Sequence, residues 1–414
     1  MTKITRRAAL GAGAAASVAL TAPSLRAQSA SRITYWHHFT SQEEFTGLQK
    51  VMALFKQRFP NIALTQENIP NPEYMTKFTA AVMAKTRPDI SMVVAERLAD
   101  MLAMDGLVDV TARVNGWSQK ANYPEDRWRG ATSKGKIYGV PAFTFVDWVY
   151  YRKDWFEQAG ISGPPKTLDE FVDAAKKLTD PSKNRYGFGM RGGPGGFAYI
   201  IDLIEAFGSQ FVVDGKNAMD KGKTLAAIKW FSDLHTVHKV VPPSAPNDGF
   251  RQIMEGFKTG QTAMTWHHTG SLVEMVRALK PNELGTATKP AGPASRVARL
   301  TYLYNGLMKK DNEQAAWDWI SFWGEADPSI AFLEETGYFP ANAQLARDPR
   351  ITGNPLYNPA GETLSFGKLP PSFVGFAGWA QNVVLPEFQK ILVGQQNAER
   401  ATDAILKGLD AAIN

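Results

Sequence analysis

The chain has 414 residues, of which 44% are hydrophobic, 11% aromatic and 21% charged, and it contains no cysteine. This composition supports a large core or two joined lobes, and it excludes a disordered chain, disulfides, cysteine-ligated zinc, thiol catalysis and a lipidated N-terminal cysteine. The formal charge is +6, but the first 29 residues hold Lys3, Arg6, Arg7 and Arg26 and no acid. The rest is therefore only roughly +2, which gives no basis for a nucleic-acid partner.

Thr5-Arg6-Arg7 opens a basic segment that leads into an Ala/Gly-rich apolar run from Ala8 to Ala22, then Pro23 and the small-residue stretch Ala27-Gln28-Ser29-Ala30. This is a signal-peptide layout over residues 1–29, too short and too weakly apolar to span a membrane. The paired arginines resemble a twin-arginine leader, with Ala9 where Phe is common and Gly11 where Lys is common. Export to the periplasm follows, without a lipid anchor.

Beyond the leader, Arg32–Trp36 reads as a strand. Phe45, Leu48, Met52, Phe55 and Phe59 then form one apolar helical stripe that Pro60 ends. Ile62–Thr65 reads as a second strand, residues 74–85 as a helix, and Ile90–Val94 as a short buried strand. Thr167 and Glu170 set up a capping box before Phe171, Val172, Ala175 and Leu178. Further helices are predicted over 197–207, 223–238, 249–258, 313–324, 328–336 and 375–412, where Trp317, Trp319 and Trp323 are packing residues. Helices alternating with short buried strands predict an α/β fold with helices on both sheet faces.

Six blocks in order carry a family resemblance. They are the Ile33–Trp36 strand with Phe55–Ile62, then Pro88-Asp89-Ile90 with Gly106–Val110, and Gly135–Pro141. Val149–Phe156 with Ala159–Ile161 and Pro165–Leu168, Phe257–Thr265, and Thr336–Pro340 complete the set. Over nearly its whole length the chain resembles the family 1 extracellular solute-binding proteins, which include maltose-binding protein; Arg152 stands where Asn is frequent. The resemblance implies a two-lobed type II periplasmic-binding-protein fold with hinge strands and a central ligand cleft. It implies an N-terminal lobe from 30–142 and 290–340 and a C-terminal lobe from 146–287 and 345–414. The chain would cross near Pro141–Phe145, return near Thr288–Pro290 and cross again near Tyr338–Ala343.

A sugar site mixes aromatic rings, which cover C–H faces, with fixed donors and acceptors for hydroxyls. Trp-His-His occurs twice, as Trp36-His37-His38 and Trp266-His267-His268, both at cleft positions by the resemblance. Neighbours on a strand point opposite ways, so one histidine of each pair should face the cleft; the alternative is a packed Trp beside surface histidines. Thr144 and Asp147 lie in the hinge run, where Asp147 either accepts sugar hydroxyls or forms a salt bridge across the hinge. Glu96 follows a short strand and is either a contact or a solvated helix cap. Arg191, in a Gly-rich loop, matters for an anionic solute. Tyr304 and Asn305 end a strand-like run, and Trp379 is either a late stacking residue or a helix-core Trp.

Motifs for chemistry are poor. Gly187–Gly192 fits GxGxxG but lacks the context of a dinucleotide site, and His235 with His238 lacks a third metal ligand. No HExxH, GxSxG or P-loop is present. The chain therefore reads as the substrate-binding component of an ABC importer that captures a sugar or sugar-like solute. It needs no cofactor, acts as a monomer and docks on membrane permease subunits. The alternatives are an exported carbohydrate-active enzyme and a receptor for a polyol or a glycerol phosphate ester.

Overall fold

A computed structural model of the chain describes residues 31–413; the expected leader over 1–29 lies outside them. One sheet holds nine strands. These are β1 (Ser31–His37), β2 (Ile62–Asn68), β3 (Ile90–Val93), β4 (Val140–Arg152), β5 (Tyr186–Gly189), β6 (Thr262–His268), β7 (Leu284–Ala287), β8 (Leu300–Leu307) and β9 (Phe339–Pro340).

The organising element is β4, whose 13 residues run about 40 Å at the usual rise per residue. Its first half pairs antiparallel with β8, from Val140 opposite Asn305 to Val146 opposite Leu300, and with β9 at Phe143 and Thr144. Its second half pairs antiparallel with β6, from Asp147 opposite His268 to Tyr151 opposite Met264, and with β7 from Val149 to Arg152. The first half-sheet continues through β8 to β3, β1 and β2, with β1 parallel to both its neighbours. The second continues through β6 to β5. One strand is thus the spine of two half-sheets, and every residue from Val140 to Tyr150 is buried.

Local signals explain most of the elements. The apolar stripe forms the helix Gln42–Arg58, which starts with a capping box between Ser41 and Glu44. Thr167 Oγ1 accepts from Glu170 N at 3.2 Å and starts the helix Leu168–Lys177. The single helix expected over 375–412 is instead broken. Phe376–Trp379, a π-turn at Ala380–Val384 and Leu385–Leu392 are followed by a break with Gly394 at φ 74°, and then by Ala398–Ile413. After the expected return near Thr288–Pro290, Ala291 N donates to Lys166 O, Ala294 N and Ser295 N donate to Ala206 O, and Leu300 then pairs with Val146 of β4.

Two core clusters flank the sheet. Tyr35, Phe55, Trp319, Trp323 and Phe332 pack in the first, which continues past the middle of β4 to Trp148, Tyr150, Phe257 and Leu284. Phe171, Phe188, Phe231, Trp266 and Phe388 pack in the second. Trp266, expected to face the cleft, sits at the centre of the second core. Its ring centroid is 5.2 Å from those of both Phe171 and Phe188, and it stacks on Phe231 at 6.0 Å. Trp266→Ala should therefore act on stability, lowering it by about 3–5 kcal/mol in chemical denaturation. An unchanged denaturation midpoint would contradict this placement.

Candidate functional site

Between the two half-sheets lies a cavity of about 130 Å³ whose walls come from both. On β4 and β8 strand alternation decides which side chains reach it. At the end of β6 it does not: His267 and His268 both line the cavity, against the expectation of one histidine from each pair, whereas of the first pair only His38 does. On β4, Phe143 and Phe145 line the cavity, while Thr144 and Val146 line a separate pocket on the opposite face. On β8, Thr301 and Leu303 line it and Tyr302 faces the rear. Loops at the strand ends supply the polar groups: His38 after β1, Glu96 after β3, Arg191 after β5, and His267 and His268 at the end of β6.

Several expected contacts fall elsewhere, only some of them by this alternation. Trp36 packs with Ile69, Tyr74 and Ala81, and Lys77 Nζ lies 5.2 Å from its ring centroid. His37 points into the first lobe, where its Nε2 meets Gln66 Oε1 at 2.6 Å and its Nδ1 accepts from Phe39 N at 3.3 Å. Thr144 Oγ1 donates to Thr301 O at 2.8 Å. Tyr304 is on the rear parity of β8 and donates from its hydroxyl to Arg127 O at 2.9 Å. Asn305 is buried at the far end of β8, outside the cavity lining. Trp379 is buried in the second core and donates from Nε1 to Ile405 O at 3.0 Å. Asp147 has the cavity-side parity but is fully buried behind Arg299, whose guanidinium lies 3.4 Å from its carboxylate. The salt-bridge reading of Asp147 is the one the structure displays.

Arg299, Thr301, Tyr338 and the Phe wall did not stand out in the sequence. The parity of Phe143 and Phe145 was available there. Arg299 was not, because it is delivered by the return segment after its excursion over the second lobe. Arg191 is fixed by its own loop. Its Nε donates to Pro194 O at 2.7 Å, and the turn needs Gly195 at φ +81°, where a Cβ would strike the guanidinium.

Burial and charge set the chemistry of these groups. Burial, reinforced by the charge of Arg97, holds the His38 imidazole well below the ordinary histidine range. Burial does the same for His267, with His268, Arg191, Arg299 and Arg251 adding to it, and for His268, with Arg299, Arg191 and Arg251. All three are therefore uncharged at neutral pH and can each donate and accept one hydrogen bond. Burial alone would pull Arg299 down, but Asp147 and Glu96 push it above the ordinary arginine range. Six buried polar atoms of this wall have no hydrogen-bond partner among the described residues: His38 Nδ1, Glu96 Oε2, His267 Nε2, His268 Nδ1, Arg299 Nε and Thr301 Oγ1. Buried polar groups are rarely left unpaired, and a cluster of them marks a place where a ligand completes the bonding.

The profile of a family described as bacterial extracellular solute-binding protein matches residues 40–328. The chain belongs to that family. Its members are solute-binding proteins of ABC importers, a binding family rather than an enzyme family. A putative binding protein of Brucella abortus is 25% identical over 373 residues, which cover 87% of this chain and 89% of that protein. Maltose-bound MalE3 of T. maritima superposes with a TM-score of 0.84 at 22% identity, covering 92% of this chain and 99% of the other. An ABC transporter solute-binding protein of Thermotoga lettingae bound to alpha-D-tagatose gives 0.85 at 21% identity, covering 93% and 100%. The solute-binding protein described here thus shares their two-lobed fold, and no helix among its described residues is long and apolar enough to cross a membrane.

The internal histidine offers a test of sign. Burial lowers the His37 pKa to about 4, with its Gln66 hydrogen bond opposing. Since an unfolded histidine titrates near 6.5, this contribution to stability is full above that pH and is lost as pH falls from there towards 4. Between pH 7 and pH 5 the parent should lose about 2 kcal/mol more than His37→Gln, measured by urea denaturation. Equal losses in the two proteins would contradict the assignment.

Proposed function

We propose that the chain works in the periplasm after removal of a twin-arginine-type leader, and that its two lobes close on a sugar or polyol of about one ring. The lobes are residues 31–142 with 300–340 and residues 146–287 with 345–413, and the closed monomer hands its solute to the permease subunits of an ABC importer. The carrying observation is the cluster of unpartnered polar atoms contributed by both lobes around a small cavity. His38 and Glu96 stand on the first lobe and Arg191, His267 and His268 on the second, so a solute held by all of them must hold the lobes together. The flat wall for its C–H faces is Phe143, Phe145, Phe250 and Tyr338 rather than tryptophan.

Maltose and alpha-D-tagatose, named for the two solved structures, support a carbohydrate class, and the cavity of about 130 Å³ favours a single ring over an oligosaccharide. An exported carbohydrate-cleaving enzyme would need two carboxylates able to reach one glycosidic bond. Here Asp147 is held behind Arg299 and Glu44 is engaged by Thr40 N, Ser41 N and the Tyr338 hydroxyl, which leaves Glu96 alone.

The test is thermal unfolding of the chain from residue 31 across single-ring sugars, linear polyols, maltodextrins and glycerol phosphate esters. A ligand at 100 times its Kd stabilises by about 2.7 kcal/mol, so a clear rise in Tm with a single-ring sugar or polyol, recovered chemically unchanged, is the expected result. A shift confined to maltodextrins, or consumption of the compound, would contradict the proposal.

A further inference from the structure

Beside the cavity lies a second, wider gap of about 420 Å³ between the lobes. Asn71, Glu96 and Phe197 line both spaces, so the gap opens directly onto the cavity. One wall of the gap is the helix Ala95–Ala103, which follows β3 and packs Leu98 and Met101 in the first core. The other is the run from Phe376 to Asn382, whose Phe376 and Trp379 pack in the second core.

Two hydrogen bonds join these walls. Gly375 N donates to Asp100 Oδ1 at 2.7 Å, and Ser372 Oγ donates to Ala95 O at 2.8 Å. The donor from Gly375 is rigidly mounted on the second lobe. Gly375 sits at φ +88°, where a Cβ would lie 2.6 Å from Ala412 O in the helix Ala398–Ile413. The Phe373 ring centroid is 5.3 Å from that of Phe376 and 6.3 Å from that of Trp379, which ties the turn to the second core. Burial raises the half-buried Asp100 carboxyl above its ordinary range, and the groups that oppose it are the N–H of Gly375 and of Ala377. A bland surface acid on a helix would be solvated or would pair with a neighbour one turn away. Asp100 instead directs its carboxylate at backbone donors of the opposite lobe.

Resting on the two-lobe reading above, we propose that Asp100 and the Ser372–Gly375 turn form a clasp across the lip of the cleft. The clasp holds the lobes together before any solute is bound, and it breaks each time a solute enters or leaves. A hydrogen bond to a charged acceptor shifts such an equilibrium ~10-fold or more. That is enough to populate the closed shape, and it reduces the differential affinity that the solute must supply to complete closure. When the lobes part, both ends of the contact regain water, so the clasp resists opening without locking the cleft.

The experiment measures opening with no solute present. Thr76 and Asn382 are exposed on opposite sides of the gap. Thr76→Cys with Asn382→Cys is spin-labelled, and pulsed electron paramagnetic resonance gives the ratio of short to long distances. The parent should show a short population without solute. Asp100→Ala should lower the short-to-long ratio at least ~10-fold, with Tm showing that it remains folded. Ser372→Ala, which cuts the other bond and leaves the carboxylate in place, should shift the ratio in the same direction, and it decides the matter if Asp100→Ala does not fold. A parent without a short population, or a folded Asp100→Ala protein with an unchanged ratio, overturns the clasp. No solute enters this measurement, so a failure of the sugar reading leaves its result standing, and a failure of the clasp leaves the sugar reading standing.

Discussion

One strand running through both halves of the molecule constrains everything else. Because β4 is central to each half-sheet, the two half-sheets cannot separate, and they can rotate relative to each other only by bending this strand and its neighbours. Its period of two also divides the hinge into a front and a rear. Phe143, Phe145 and Asp147 belong to the front, and Thr144 and Val146 to the rear. The cavity wall is a consequence of that parity.

Burial at the hinge then sets the electrostatics. Asp147 is fully buried, and its carboxylate is tolerated there because Arg299 comes back along the second crossing to meet it. A second buried pair, Lys289 with Asp202 at 2.7 Å, sits under Tyr199 and the Trp266 ring. The nearby cavity is lined by neutral imidazoles together with Arg191, Arg299, Glu44 and Glu96. A segment after the third crossing adds contacts across the lobes. Ser372 Oγ donates to Ala95 O at 2.8 Å and Gly375 N to Asp100 Oδ1 at 2.7 Å, next to the helix that carries Glu96.

Much of the fold was legible in the sequence because it rests on local signals. The stripe from Phe45 to Phe59, the Thr167–Glu170 cap and the short apolar run at Ile90 each specify an element by periodicity or hydrogen bonding, and the ordered blocks specify how those elements join. The site was legible only in part. Loop-end polar residues such as His38, Glu96, Arg191 and His268 could be picked out, since loops at strand ends are where α/β sheets place ligand contacts. The tryptophans misled, because a large apolar ring that suits a sugar face suits a core equally well. Trp36, Trp266 and Trp379 all found partners inside their own lobes. Arg299 was invisible because its position depends on long-range contacts of the segment before β8, such as Ala291 N with Lys166 O and Ala294 N with Ala206 O, which no local pattern encodes.

The central claim is that a solute is held by both lobes at once, and the distance between those lobes tests it directly. Thr76 on the first lobe and Asn382 on the second line the same inter-lobe gap, and both are exposed. The chain has no native cysteine, so Thr76→Cys with Asn382→Cys can be spin-labelled cleanly and the distance read by pulsed electron paramagnetic resonance. With a sugar or polyol that raises Tm, the distance distribution should shift to a single short population. An unchanged distribution at saturating solute would mean that the compound binds one lobe alone, and the two-lobe account would be wrong.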